Sequence, residues 1–424
     1  MGSRWPPSYD ACMVGVAEPG CLVLLGGNKL HRGIVEKCRA AGRRVVVVDW
    51  NERPEITGDL HIRVDVKDAP AVLRSLSESV PGPVWLAYTS IDVAVPTAVA
   101  IHRSNGLAVP HSGVCDTPLA KEHMTSCWRR DGLLNRASFV ASDGGHARLA
   151  EAVAVREIIV KPNLSSSSRG ITILPAGSTL SECGAALERA RLASLDGQVI
   201  VEEFFRGREF TVEMLGDARG NVSVYGISVK YHTAHAGANK VATKLHYNSM
   251  LYPDSTYDRI AEYSRRCFRS IGLSSSFGHL EILMRDDGLL SPVEIGARST
   301  GFVCAPLADV VSGRDYLADY ADVLRGGSVA GDTLRSDQSG MYFFYDFPAG
   351  LACRHPANLP EFLAPGIKSV YWDRSAIVAG NRFGRIDNDT ERWGFEILTG
   401  SRESLTIGHV EAAELRVIEA MEAP

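Results

Sequence analysis

Two acidic residues, Glu281 and Glu294, are the side chains of this sequence whose type and spacing point most directly to chemistry. They flank Asp287-Gly288, a dipeptide that tolerates the positive φ of a type I′ turn and so predicts a two-residue β-hairpin. Closed there, the hairpin sets the two glutamates directly opposite on one face, with Cβ atoms roughly 5 Å apart. Like charges so placed destabilise a sheet. A divalent cation relieves the repulsion, and Mg²⁺ takes one or two carboxylates together with phosphate oxygens. The apolar neighbours Ile282, Leu283, Val293 and Ile295 make an exposed acidic edge the poorer reading.

A second group of residues suits phosphate. The strand Glu157-Ile-Ile-Val-Lys161-Pro162 runs into a loop holding Ser165, Ser166, Ser167, Ser168 and Gly170, then returns as Ile171–Leu174. Amides and hydroxyls of such a loop can donate to phosphate oxygens, and Lys161 adds a fixed positive charge. A polar hairpin loop accounts for the segment equally well. After a helix near residues 180–195, residues 198–213 form a strand, a link at Gly207 and a second strand. Glu202, Glu203 and Glu209 then lie along an edge that suits the amine of adenine and ribose hydroxyls. Gly26-Gly27 with Asp49 is the remaining candidate, a nicotinamide-type turn. It falls short of the full glycine fingerprint, and a tight strand-to-helix turn is the better account.

These residues need a scaffold, and 424 residues suffice for two or three domains. Residues 1–115 alternate strand and helix, which predicts an α/β unit with a parallel, Rossmann-like sheet. Its strands are expected at Cys21–Leu25, Arg44–Asp49, Val84–Tyr88 and Gly106–Pro110. From 116 to 330 the texture is α+β: a helix carrying Lys121, His123, Met124 and Trp128, then the segments above. Residues 331–424 read as a further module, with strands at Met341–Asp346 and Ile367–Tyr371 and a helix at Gly408–Glu422.

Composition excludes several classes. A net charge of −5 argues against a nucleic-acid surface. No apolar run approaches the ~20 residues that span a bilayer, and the N-terminus has no hydrophobic signal core. Nine cysteines without a Cys-x-x-Cys pair are simplest as free thiols of a cytoplasmic protein.

Taken in order, the motifs resemble the ATP-grasp superfamily, with the carboxylate–amine ligase branch and its L-amino-acid ligases the nearest match. The resemblance rests on Lys121 in Ala-Lys-Glu-His-Met, on Val160-Lys-Pro with its serine loop and on Val201-Glu-Glu-Phe-Phe-Arg-Gly-Arg-Glu209. It is completed by His279-Leu-Glu281 and Val293-Glu-Ile-Gly-Ala-Arg298, so that it spans roughly residues 20–330. It implies the ATP-grasp fold, with a mobile lid over about 157–205 and a C-terminal subdomain beside the active site. It also implies ATP and one or two Mg²⁺ ions as cofactors, small carboxylate and amine substrates, and often a homodimer.

By the same resemblance, Lys121 and Lys161 contact the phosphates and the loop from Ser165 to Gly170 closes over them. Glu202 approaches the adenine amine, Glu203, Phe204 and Phe205 offer backbone contacts, and Glu209 meets the ribose. Glu281 and Glu294 hold the metal, and Arg298 steadies the acyl phosphate. Where many relatives carry a further asparagine ligand, this chain has Gly296. Lys230 is a further candidate phosphate contact, equally readable as a solvated strand lysine. His232, His235 and His246 cluster without a convincing zinc set and read as a substrate-facing loop, with His246 as a substrate contact. Thr300, Gly301 and Cys304 are expected to neighbour the substrate, and Trp372, Arg382 and Trp393 to shape its pocket.

The expected activity is amide formation through an acyl phosphate, with release of ADP and phosphate. A carboxylase using carboxyphosphate is the alternative with the same fold, and a non-catalytic nucleotide-binding protein the alternative of another class.

Overall fold

Val45-Val-Val-Val-Asp49 carries no alternation of polar and apolar residues, as expected of a strand covered on both faces. In the computed structural model it is fully buried and central to a parallel sheet. The structure describes residues 20–110, 112–118, 120–141, 145–166, 168–233, 241–299, 304–332, 336–354, 356, 365–386 and 391–422. The first unit runs β1 (Cys21–Leu25), α1 (Arg32–Ala40), β2 (Val45–Asp49), β3 (Leu60–Arg63), α2 (Ala69–Ser79), β4 (Val84–Tyr88) and α3 (Val95–Ser104). Its strands lie in the order β3-β2-β1-β4. The fourth strand is thus Leu60–Arg63, and Gly106–Pro110 adds none. Gly106, at φ +70°, turns the chain away after α3, and Ala108 N bonds instead to Leu324 O.

Next come α4 (Gly113–Asp116), α5 (Lys121–Arg130), β5 (Ser138–Ala141), α6 (Gly145–Val155), β6 (Ile158–Pro162), β7 (Thr172–Leu174), α7 (Leu180–Ala193) and β8 (Val199–Glu203). The four strands form a small antiparallel sheet, β5-β8-β6-β7, whose buried face packs on α6 and α7. Thr179 and Glu182 start α7 with a reciprocal capping box.

The third sheet holds β9 (Arg208–Gly216), β10 (Val222–His232), β11 (Ala242–Tyr247), β12 (Ser276–Met284) and β13 (Leu290–Gly296), with α8 (Asp254–Ser270) packed against it. Helices α9 (Cys304–Ser312) and α10 (Tyr316–Leu324) follow, then β14 (Gln338–Phe344), β15 (Ile367–Asp373), β16 (Phe395–Ser401) and α11 (Ile407–Glu422). The late strands continue the same sheet, in the order β13-β12-β9-β10-β11-β14-β16-β15. Glycine sets how near α8 can lie. A Cβ on Gly216 or Gly278 would stand 2.5 or 2.7 Å from the ring of Phe268, so the ring seats where two strands carry no side chain. No described helix is long and apolar enough to cross a membrane.

Candidate active site

The β12–β13 hairpin does place Glu281 opposite Glu294. It reaches that register by a different route from the one the sequence suggests. The turn is not two residues long. Gly288 N bonds to Arg285 O and Arg285 N to Leu289 O, with Gly288 at φ +83°, which makes a three-residue loop. That loop alone would pair Glu281 with Val293. A bulge between Glu281 and Ile282, next to Pro292, whose nitrogen cannot donate to the ladder, moves the register by one residue. The two departures cancel at the glutamates.

Both carboxylates line a cavity of about 1320 Å³ with Lys121, Lys161, Glu202, Glu209, Lys230, His279 and Arg298. Lys121, the first residue of α5, is buried, donates to Ser165 O at 2.8 Å and lies 3.1 Å from Glu294 Oε2. Lys161 of β6 is 2.7 Å from Glu202 Oε2 on the neighbouring β8. The same carboxylate oxygen accepts from Arg136 Nε at 3.0 Å, and Arg136 Nη1 reaches Ser291 Oγ and Pro292 O of β13 at 2.7 and 2.5 Å. Arg136 thereby ties the small sheet to the hairpin bearing the glutamates. Nothing in the sequence singles it out, because one arginine between Asn135 and Ala137, just before a short strand, has no periodic signature.

The charges settle each other in clusters. Burial pushes the Glu202 carboxyl up, but Arg136 and Lys161 outweigh it and hold it at about 2. Burial, helped by Arg136 and Lys121, lowers the Lys161 ammonium, with Glu202 opposing. Lys230 is a bridging cation: Nζ lies 2.6 Å from Glu209 and 2.8 Å from Glu281. Glu209 also bonds His232 Nε2 at 2.9 Å. His279 Nδ1 sits 3.0 Å from Glu213, which takes a second bond from Tyr247. Burial raises the Glu281 carboxyl, with Glu294 and Glu209 adding to the rise and Lys230 opposing it. Lys121, Lys161 and Arg298 overcome burial at Glu294 and hold it low.

That imbalance is what a cation between the opposed carboxylates would relieve, and an all-oxygen donor pair fits Mg²⁺. Among the described residues, no His, Cys, Asp or Glu completes a cluster of three able to hold a metal. Phosphate oxygens and water would therefore fill the remaining positions.

The other expected residues fall into three groups. Ser165, Ser166, Ser168, Glu203, Phe204 and Phe205 line the cavity, as do Asp373 and Trp393 from the late strands. Gly170 does not. Its Cα faces α7, where a Cβ would meet Ala193 at 2.4 Å. His246 is buried on β11, bonds Ser339 Oγ at 3.2 Å, and is lowered to about 4 by burial, so it is a neutral core residue away from the cavity. Trp372 and Arg382 do not line it either. Ser167, His235, Thr300 and Gly301 lie outside the described residues, as does the side chain of Cys304. Asp49 is committed to its own turn, accepting from Gly27 N at 2.6 Å and Asn51 N at 2.7 Å, which explains the glycines without a ribose.

Residues 155–307 match the ATP-grasp domain family. The fold is shared with an L-amino acid ligase from Bacillus licheniformis, at TM-score 0.73 and 16% identity over 95% of this chain and 98% of that one. It is shared as well with biotin carboxylase from Campylobacter jejuni, solved as a β-γ-ATP complex, at TM-score 0.66 and 14% identity over 95% of each chain. N5-carboxyaminoimidazole synthase from Aspergillus clavatus, solved with ADP and its aminoimidazole ribonucleotide, gives 0.67 and 14% over 95% of this chain and 100% of that one. The chain thus carries an ATP-grasp domain over residues 155–307 and shares its fold with these proteins.

Proposed function

We propose that the protein is an ATP-dependent carboxylate–amine ligase, ADP-forming, with an amino acid among its substrates. The observation that carries this reading is the convergence of Lys121, Lys161, Arg298 and the opposed pair Glu281–Glu294 on one cavity. Phosphoryl transfer asks for alignment and positive charge more than for covalent help. Glu281 and Glu294 would hold Mg²⁺, which when bound supplies charge to the phosphates.

Lys121 and Lys161 bind the phosphate chain, and Ser165, Ser166 and Ser168 lie beside it. Glu202 and Arg136 keep Lys161 in place. A substrate carboxylate oxygen attacks the γ-phosphorus, the bond to the bridging oxygen breaks, and ADP leaves. The amine nitrogen then attacks the acyl carbon, phosphate departs, and the amine proton passes to solvent. Arg298 faces the anion that forms. The small sheet, closing over the cavity, excludes water from the acyl phosphate.

The test is phosphate release from Mg²⁺ and ATP, screened over amino acids singly and in pairs, with mass spectrometry of the products. A dehydrated adduct appearing with one pair supports the ligase. Release that needs only bicarbonate moves the reading to a carboxylase. Tight ATP binding without turnover supports a non-catalytic role. Glu294→Ala should abolish Mg²⁺-dependent release, and full turnover in that variant would remove the metal role.

A further inference from the structure

Arg298 is held from outside the nucleotide sheets. Its Nε and Nη2 donate to Asp92 Oδ1 and Oδ2 at 2.7 and 2.8 Å, a bidentate pair, and Nη1 donates to Ser299 O at 3.1 Å. Guanidinium has five N–H groups. Among the described residues these bonds leave one on each terminal nitrogen, and Arg298 lines the cavity. Both partners are nearly enclosed, with side chains 10% and 13% exposed.

Asp92 belongs to the first unit, at the 3₁₀ turn that follows β4. The loop before it is stiff. Thr89 Oγ1 donates to Leu25 O at 3.2 Å and accepts from Ile91 N at 3.0 Å, while Ser90 Oγ bonds His31. The end of β13, two residues before Arg298, leaves room for the pair. A Cβ on Gly296 would lie 3.2 Å from Asp92 Oδ1 and 3.2 Å from Arg298 Cγ, tighter than ordinary contacts. The space a side chain at 296 would use is taken by the carboxylate–guanidinium pair.

We propose that Asp92 is a positioning residue, which fixes the Arg298 guanidinium so that its two remaining N–H groups meet the transferred phosphoryl group. This rests on the ligase reading. Its consequence is that the first unit contributes to the transition state through one carboxylate, with Gly296 as the gap that admits it. A bidentate pair fixes the plane of the guanidinium, which a single bond does not.

The experiment measures ADP binding with Mg²⁺, then repeats it with aluminium fluoride as a phosphoryl mimic. It needs no acid or amine substrate. Fluoroaluminate should tighten ADP binding to the wild type. Asp92→Ala should lose most of that enhancement, by up to about 100-fold for a displaced catalytic group. The double exchange Asp92→Arg with Arg298→Asp rebuilds the ion pair, and should recover thermal stability without recovering the enhancement. Asp92→Glu should recover part of it.

An enhancement that survives Asp92→Ala, or one restored by the double exchange, would show a merely structural pair and overturn the proposal. Wild-type binding of ADP with no fluoroaluminate effect overturns it as well, and leaves the nucleotide reading standing. A wild type that does not bind ADP sinks both.

Discussion

Lys230→Met removes the ammonium shared by Glu209 and Glu281 while keeping most of the stem. Deleting one partner of a buried ion pair costs about 3–5 kcal/mol, because the remaining charge is left uncompensated. Here two carboxylates are stranded, with Glu294 opposite one of them. Their side chains are 17% and 21% exposed, so water repays part of the loss and the lower end, about 3 kcal/mol, is expected. The cost should depend on pH. The Glu281 carboxyl already lies above its ordinary value, and without Lys230 it rises further. A group raised in the folded state stabilises at low pH and loses that contribution as pH climbs through its folded value, so the variant should lie closest to wild type in mild acid.

Magnesium should act in the same direction. Binding to the native state alone stabilises by about 2.7 kcal/mol at a hundred times Kd, and the variant, lacking its internal cation, should gain more from Mg²⁺ than the wild type does. Urea unfolding midpoints, taken in mild acid and mild base with chelator or with Mg²⁺, measure all of this. A loss below about 0.5 kcal/mol in base with chelator would place the pair among interactions of no consequence. An equal magnesium gain in both proteins would refute the argument that Lys230 and the metal answer the same charge.

Further outcomes follow from other residues. Burial, against Lys244, pushes the Glu414 carboxyl up to about 7, so folding stability should fall as pH rises from 4.5 toward 7, by about 3 kcal/mol for this group. Glu414→Gln should flatten that slope in pH-dependent melts, and an unchanged slope would discard the assignment. Gly278→Ala places a methyl 2.7 Å from the Phe268 ring and should cost about 1–3 kcal/mol in thermal unfolding. Lys161→Ala should weaken ATP binding about tenfold or more by calorimetry, since a charge-assisted phosphate contact is lost. Unchanged affinity with an intact fold would remove Lys161 from the phosphate site.

The site was legible where chemistry and local order coincide. Lys161, Glu281 and Glu294 stand out by type beside strands whose apolar runs are plain, whereas Lys121, at the start of a helix, gains a role only from the family resemblance. The glutamate register agrees with the sequence although the turn is one residue longer than Asp287-Gly288 suggests, because the bulge beside Pro292 offsets the longer loop. What stayed hidden depends on contacts between distant segments. Arg136 and Asp92 are single charged residues, given meaning only by Glu202 and Arg298 across the fold. His246 carried the opposite risk. A histidine on a strand reads the same whether it faces a ligand or the core, and only packing decides. Leu60–Arg63, a short edge strand, has too few residues to show a period, whereas Gly106–Pro110 is apolar enough to read as one.

The pairing of β14 with β11 bears on where this protein can be cut. Lys244 to Tyr247 hydrogen-bond with Gly340 to Phe343, and Lys244 also meets Glu414 of the last helix. A chain ending near residue 330 would keep every residue proposed to touch ATP. It would also carry a raw strand edge, flanked by Leu245 and Tyr247, with a lysine stripped of its partner. Such an edge recruits strands from other molecules. The shortened protein should therefore fail by self-association before it fails by losing its nucleotide, and a soluble, monomeric truncation would show that β11 has another way to protect itself.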